Sequence, residues 1–176
     1  MGLGGILFNP NGRILPGEFM RGFVIVLIIG IALQVASVFV SPAIGFVSLV
    51  LIWCYFVLYG KRFHDAGMSA WLVLVVFVGY AILSYALTLV LTPILAADAA
   101  EMQRQLNEQA AAGTAGFGDI MAASQDIARA QLPASIATAL ISAAILGGGM
   151  MLLKTEPREN KHGPVPGSNP QADTFS

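Results

Sequence analysis

The chain has 176 residues, of which 56% are hydrophobic and only 11% charged, and its formal net charge is −1. This low charged fraction excludes an ordinary soluble domain, in which about a quarter of the residues carry a charge. The charge balance also argues against a nucleic-acid partner, which requires a basic surface to neutralise phosphates. We therefore predict an all-α integral membrane protein, with the lipid bilayer as its main interaction partner.

Four apolar segments are long enough to cross a bilayer, for which about 17 to 25 residues are needed. Ser41 and Pro42 separate the first two so closely that they must form an antiparallel hairpin, because proline ends the first helix. The last two segments form a second hairpin. The predicted spans are residues 19–40, 43–59, 71–95 and 134–153.

Residues 96–132 interrupt this pattern between the third and fourth spans. Their first half predicts an amphipathic helix, and its apolar face is formed by Ala99, Met102, Leu106 and Ala110. A glycine-containing break follows, after which Asp119 is suited to cap a second short helix. We expect a helical hairpin outside the bilayer, with a solvated spacer as the alternative. Pro133 fits the first turn of a helix and introduces the fourth span, which begins at Ala134.

The distribution of Lys and Arg predicts the orientation in the membrane. Seven of these residues fall on the side of both termini and of the 60–70 loop, and two fall in the 96–132 insert. The positive-inside rule therefore places both termini and the 60–70 loop in the cytoplasm and the insert on the outer side of the membrane. Residues 1–153 would form the four-helix domain, and residues 154–176, rich in Pro and Gly, a flexible cytoplasmic tail.

The charged residues at the cytoplasmic side suggest a site, which we call the charged face. If the second helix extends past residue 60, Asp65 pairs with Lys61 at i, i+4 and with Arg62 at i, i+3. Two readings are open: a structural clamp that holds the helices together, and a site for anionic lipid headgroups. The members of the charged face are Arg13, Glu18, Lys61, Arg62, His64 and Asp65.

A polar stripe inside the spans suggests a competing function, a small channel or transporter. Its members are Gln34, Ser84, Thr88 and Thr92. Such side chains are more often hydrogen-bonding contacts between helices. Ion-coupled transport usually requires ionisable residues inside the membrane, and no Asp, Glu, Lys, Arg or His lies deep in a predicted span. Span four also carries small residues at every fourth position, which favour close approach of another helix. They are Ser135, Ala139, Ala143 and Gly147.

Three separated motifs resemble the domain of unknown function 805 family, which consists of small bacterial inner-membrane proteins. They are Gly12-Arg13 followed by Glu18-Phe19, the loop RFHDAGMSAW at residues 62–71, and ENKHGP at residues 159–164. The resemblance implies that all three motifs meet on one cytoplasmic face, and it implies no activity. The chain departs from the family pattern in its longer outer segment and at Pro16, Met20, Lys61, Ala70 and His162.

No sequence feature predicts catalysis, because no Ser or Cys stands in a nucleophile motif and no metal-ligand spacing is present. We therefore expect a non-enzymatic protein without a cofactor or a metal. The predicted function is that of a structural or accessory membrane protein whose charged face clamps the helices and binds anionic headgroups or a partner protein, including a second copy of the chain. The alternative is the channel or transporter.

Overall fold

The computed structural model describes residues 2–167 of the chain. It is 77% helical and has no strand among those residues, which confirms the predicted all-α class. A 3-10 helix at Pro42–Val47 lies between the second and third α-helices. The α-helices are α1 (Leu3–Leu7), α2 (Pro16–Phe39), α3 (Ser48–Asp65), α4 (Leu72–Leu95), α5 (Ala97–Ala111) and α6 (Phe117–Met151).

Four helical segments of the described chain are long and apolar enough to cross a membrane: α2, the 3-10 helix continued by α3, α4 and α6. Many of their large apolar side chains point outward, and they expose more apolar surface than a soluble protein normally does. Val40, Phe46 and Ile94, for example, are each at least 70% exposed. Exposed apolar surface on this scale fits a hydrocarbon environment. The chain is thus a multi-pass membrane protein with four apolar helices, as predicted.

The first hairpin turns at Ser41 and Pro42. The Ser41 hydroxyl accepts a hydrogen bond from the amide of Ala43 at 3.3 Å and so caps the 3-10 helix. Helix α3 then runs to Asp65, six residues beyond the predicted end of the second span at residue 59. The loop expected at residue 60 is therefore helical up to Asp65, which puts Lys61, Arg62 and Asp65 on the surface of one rigid element.

Helix α6 differs from the sequence prediction. We expected a short helix capped by Asp119 and a separate span from Ala134, but one helix runs unbroken from Phe117 to Met151. The N-cap residue is Gly116 rather than Asp119, and the Asp119 carboxylate, three residues into the helix, accepts from the amide of Gly116 at 3.1 Å. Pro133 removes one backbone bond without ending the helix, a situation that membrane helices tolerate when neighbouring groups compensate.

The insert forms a helical hairpin at one end of the bundle. At 35 residues, α6 is about 50 Å long, well beyond the ~30 Å of a hydrocarbon core. Its N-terminal half packs against α5 through a small apolar cluster that includes Ala99, Leu106 and Ile127. Ala99 and Leu106 are buried as the predicted apolar face requires, whereas Ala110 is exposed.

Helices α2 and α6 lie close together at Gly147. A Cβ atom added to Gly147 would lie 2.6 Å from a ring carbon of Phe23, so a larger residue there would have to displace that ring. About three turns earlier on the same stripe, Ser135 accepts a hydrogen bond from the Gln34 amide at 2.8 Å. The small-residue stripe predicted on span four therefore does let a neighbouring helix come close.

Candidate functional site

The carboxylate of Asp65 is the centre of a buried ion-pair network at the end of the bundle opposite the insert. Its side chain is fully buried at the last residue of α3. Oδ1 accepts from Nη2 and Nε of Arg13 at 3.2 and 3.3 Å. Oδ2 accepts from Nη1 of Arg62 at 2.5 Å and from the hydroxyl of Thr155 at 2.7 Å. We call Arg13, Arg62, Asp65 and Thr155 the Asp65 network.

Arg62 joins this network to the end of α6. Its Nε donates to the carbonyl of Met150 at 3.1 Å, and its Nη2 donates to the carbonyl of Leu153. The last carbonyls of a helix lack partners within the helix and carry its negative dipole end. A buried guanidinium therefore satisfies these carbonyls and offsets their charge while it also pairs with Asp65.

Arg13 likewise donates to backbone carbonyls, at the end of α3 and in the segment after α6. Its Nη2 donates to the carbonyls of Asp65 and Glu156 at 3.3 and 2.5 Å, and its Nη1 donates to the carbonyl of Arg158 at 2.8 Å. Arg13 is 3% exposed. Its guanidinium thus ties three distant parts of the chain together: the segment before α2, the end of α3 and the segment after α6.

The segment after α6 belongs to the site, which corrects the prediction of a flexible tail from residue 154. The amide of Glu156 donates to the Asp65 carbonyl at 2.8 Å. The Asn160 side chain donates to the carbonyl of His64 at 3.0 Å and to the Glu156 carboxylate at 2.7 Å. Gly67, at φ +75°, has no Cβ to collide with that carboxylate. The rest of the predicted tail, residues 168–176, lies outside the described residues.

Two histidines stack at the edge of the network. The rings of His64 and His162 are 3.8 Å apart between centroids and nearly parallel at 9°. His64 Nδ1 lies 3.2 Å from the carbonyl of Gly12, a distance at which a protonated Nδ1 donates. Burial and the charge of Lys161 hold the pKa of His162 below its usual value, so its neutral form is favoured.

Lys61 and Glu18 lie at a neighbouring position rather than at the centre. The Lys61 ammonium is fully buried and donates to the carbonyl of Gly5 at 2.5 Å, which anchors α1 to α3. The Glu18 carboxylate attracts Lys61 electrostatically. The predicted Arg62–Asp65 pair is therefore present, and Lys61 is bonded to the N-terminal segment through Gly5.

Sequence reasoning missed several members of the site. Thr155 and Glu156 lie in the segment that we expected to be a flexible tail. The carbonyls of Met150 and Leu153 cannot be recognised in a sequence, because every residue has a backbone carbonyl. The signal that could have found this segment was the third motif, because Asn160 lies within ENKHGP and reaches His64 directly.

The predicted polar stripe is only partly associated with a cavity. A space of about 630 Å³ lies among α2, α3, α4 and α6, and Gln34 and Thr88 line it, whereas Ser84 and Thr92 are not among its lining residues. The Thr88 hydroxyl donates to the Ser84 carbonyl at 2.8 Å. Thr138 and Ser142 of α6 also line the cavity, and sequence reasoning did not single them out.

Within residues 2–167, no group of three or more His, Cys, Asp or Glu side chains is arranged to hold a metal ion.

Four apolar helices joined at one end by a buried ion-pair network define a multi-pass helical membrane protein. The chain belongs to the family described as "Protein of unknown function (DUF805)", whose sequence model matches residues 7–164. The match includes every residue of the Asp65 network and confirms the resemblance drawn from the three motifs. No curated protein and no solved structure matches the chain.

Proposed function

We propose that this protein is a structural, accessory protein of the bacterial inner membrane, with the Asp65 network at the cytoplasmic face. The observation that carries this proposal is that one buried carboxylate and two buried arginines join the segment before α2, the end of α3 and the segment after α6. Such a network fixes the relative positions of the helix ends. Removing one partner of a buried pair leaves an uncompensated charge, which makes the arrangement strongly interdependent.

The same bonds argue against the Asp65 network as a lipid-headgroup site. The donors of Arg13 and Arg62 point to protein carbonyls and to Asp65, and both side chains are buried. Headgroup contacts belong instead to exposed cations at the same end of the bundle, where each adds about 1 kcal/mol of attraction to an anionic surface. These exposed cations are Arg21, Lys154, Arg158 and Lys161.

The proposal is non-enzymatic. A catalytic base must have a free lone pair within reach of a substrate proton, and both oxygens of Asp65 already accept two hydrogen bonds each. Transport ranks second, because only two residues of the predicted stripe line the cavity and its lining contains no Asp, Glu, Lys, Arg or His within the described chain.

An accessory protein needs a surface for its partner, and the insert hairpin supplies one on the periplasmic side. Phe117, at the start of α6, is 81% exposed, and Met121 one turn later is 46% exposed. Large apolar side chains outside the hydrocarbon region mark interaction surfaces. We assign this hairpin to contact with a partner protein or with a second copy of the chain.

Native mass spectrometry of the protein extracted in mild detergent tests the proposal. We expect a defined oligomer or a stoichiometric protein partner, together with anionic lipid that is lost in Lys154→Ala/Lys161→Ala and kept in the matched double variant Arg104→Ala/Arg129→Ala at the other end. Phe117→Ser/Met121→Ser should release the partner subunit. A strictly monomeric protein, with neither a partner nor retained lipid, would contradict the proposal.

A further inference from the structure

The cavity among the four spanning helices contains two hydroxyl groups without partners. Thr138 and Ser142 line it from α6, and they are 7% and 0% exposed. Neither hydroxyl has a hydrogen-bond partner among residues 2–167. Burying a hydroxyl without a partner costs on the order of 1–3 kcal/mol, so two on one wall of the same cavity need an explanation.

Two other hydroxyls that line this cavity show the usual solution. Thr88 donates to the carbonyl of Ser84 at 2.8 Å, and Ser135 donates to the carbonyl of Leu132 at 2.9 Å. Both residues line the same cavity as Thr138 and Ser142. Backbone capture is therefore available to hydroxyls in this environment, and Thr138 and Ser142 do not use it.

The depth and lining of the cavity restrict what could satisfy these groups. Ser142 lies midway between Ala134 and Met151 and so near the middle of the span. No Asp, Glu, Lys, Arg or His of the described residues lines the cavity, so an ionic ligand would be buried without a counter-charge. The volume of about 630 Å³ lies in the range of small-molecule sites.

We propose that this cavity binds an uncharged lipid-soluble molecule that carries a carbonyl group. Residues at i and i+4 lie side by side on a helix, and a carbonyl oxygen has two lone pairs. One carbonyl can therefore accept from both Thr138 and Ser142. The apolar body of the molecule would pack on aromatic walls formed by Phe23, Tyr55 and Phe77. This inference is independent of the proposed accessory role.

The route of entry follows from the exposed part of the lining. Ile52 of α3 and Tyr80 of α4 line the cavity and are 53% and 47% exposed. The mouth therefore opens between α3 and α4 toward the lipid. A molecule dissolved in the bilayer can enter sideways without crossing an aqueous phase.

Two probes distinguish the chemical sources of such a carbonyl: decylubiquinone, in which it belongs to a quinone ring, and methyl laurate, in which it belongs to an acyl ester. Each is titrated into the protein in lipid nanodiscs, and the rise in melting temperature gives an apparent Kd. Infrared difference spectra report the carbonyl stretch, which moves to lower wavenumber when the oxygen accepts hydrogen bonds. We expect saturable binding and this shift for at least one probe, and the responding probe identifies the source.

The variants separate specific binding from general partition into the lipid. Thr138→Val and Ser142→Ala each remove one hydroxyl and should weaken binding about two- to tenfold, with a smaller infrared shift. Ser37→Ala is the matched control, because Ser37 does not line the cavity and its hydroxyl already donates to the carbonyl of Gln34 at 2.7 Å. Ala139→Leu fills the cavity and should weaken binding at least about tenfold. Helicity and elution volume verify folding.

Two results would overturn the inference. One is the absence of saturable binding by both probes. The other is equal affinity of Ser37→Ala, Thr138→Val and Ser142→Ala for the probe that binds, which would show that the two unpartnered hydroxyls do not bond to the probe.

Discussion

Nη1 of Arg62 lies 2.5 Å from Oδ2 of Asp65, and both side chains have no exposed surface. The pair is only three residues apart on α3, yet it does more than stabilise one helix turn. The same guanidinium donates to carbonyls at the end of α6, and the same carboxylate accepts from Arg13 before α2. A local pair thus becomes the junction of three distant segments.

Asp65→Asn should lower the free energy of unfolding by about 3–5 kcal/mol, because it leaves two buried guanidinium groups without a counter-charge. The measurement is thermal or denaturant unfolding in detergent. The matched control is Glu101→Gln, which removes the carboxylate of an exposed ion pair with Arg104 and should leave stability unchanged. Equal stability of wild type and Asp65→Asn would refute the clamp.

Arg62→Lys should also destabilise the protein, by about 1–3 kcal/mol. A lysine keeps the charge but lacks the planar fork that reaches Asp65 and the carbonyls of Met150 and Leu153 together. Arg129→Lys, in an exposed i, i+3 pair with Asp126, is the control and should have no effect. If both variants melt together with the wild type, the bonds from Arg62 to α6 contribute nothing to stability.

Asn160→Ala tests the segment after α6. It removes the bonds to the carbonyl of His64 and to the carboxylate of Glu156 and should cost about 1–3 kcal/mol. Limited proteolysis after residue 153 should become faster in this variant, since the segment loses its attachment. Glu159→Ala changes the exposed neighbouring residue and should behave as wild type.

Gly147→Ala and Gly148→Ala should have opposite effects on stability. At Gly147 the new methyl group would press on the ring of Phe23 at 2.6 Å, and overpacking costs about 1–3 kcal/mol. At Gly148 nothing lies within 4 Å of the new Cβ, and alanine favours the helix by about 0.5–1 kcal/mol. Melting temperatures of the two variants decide this, and a fall for both would show that the helix needs a flexible glycine segment.

Acidification should destabilise the protein through His162. The pKa of His162 is lowered in the folded state, chiefly by burial and then by Lys161, with Arg13 acting in the same direction and Glu156 against it. The unfolded chain therefore binds the proton more readily. The stabilising contribution is complete above the ordinary histidine pKa of about 6.5 and is lost as the pH falls through the folded-state value.

The measurement is the melting temperature between pH 7.5 and 5. His162→Phe preserves a ring for stacking on His64 and should flatten the profile relative to wild type. An unchanged profile in this variant would assign the acid sensitivity to other groups.

The sequence alone determined the class of this protein and the four spans that the described chain contains, but not their exact ends. Apolar segments of bilayer length can only be helices in lipid, because every backbone polar group must be bonded within the chain. The pairing of Arg62 with Asp65 could also be predicted, because residues three apart are neighbours on the surface of a helix. The three motifs identified the family and pointed to a common face.

Only the tertiary structure decided how that face is built. Arg13 and Arg62 donate to backbone carbonyls of segments that are far apart in the chain. Every residue has such a carbonyl, so the sequence does not show which of them will accept these bonds. The continuation of α6 through Pro133 likewise depends on packing rather than on residue type. The cavity and its two unpartnered hydroxyls arise from the space that four helices leave between them, which no periodicity within one helix encodes.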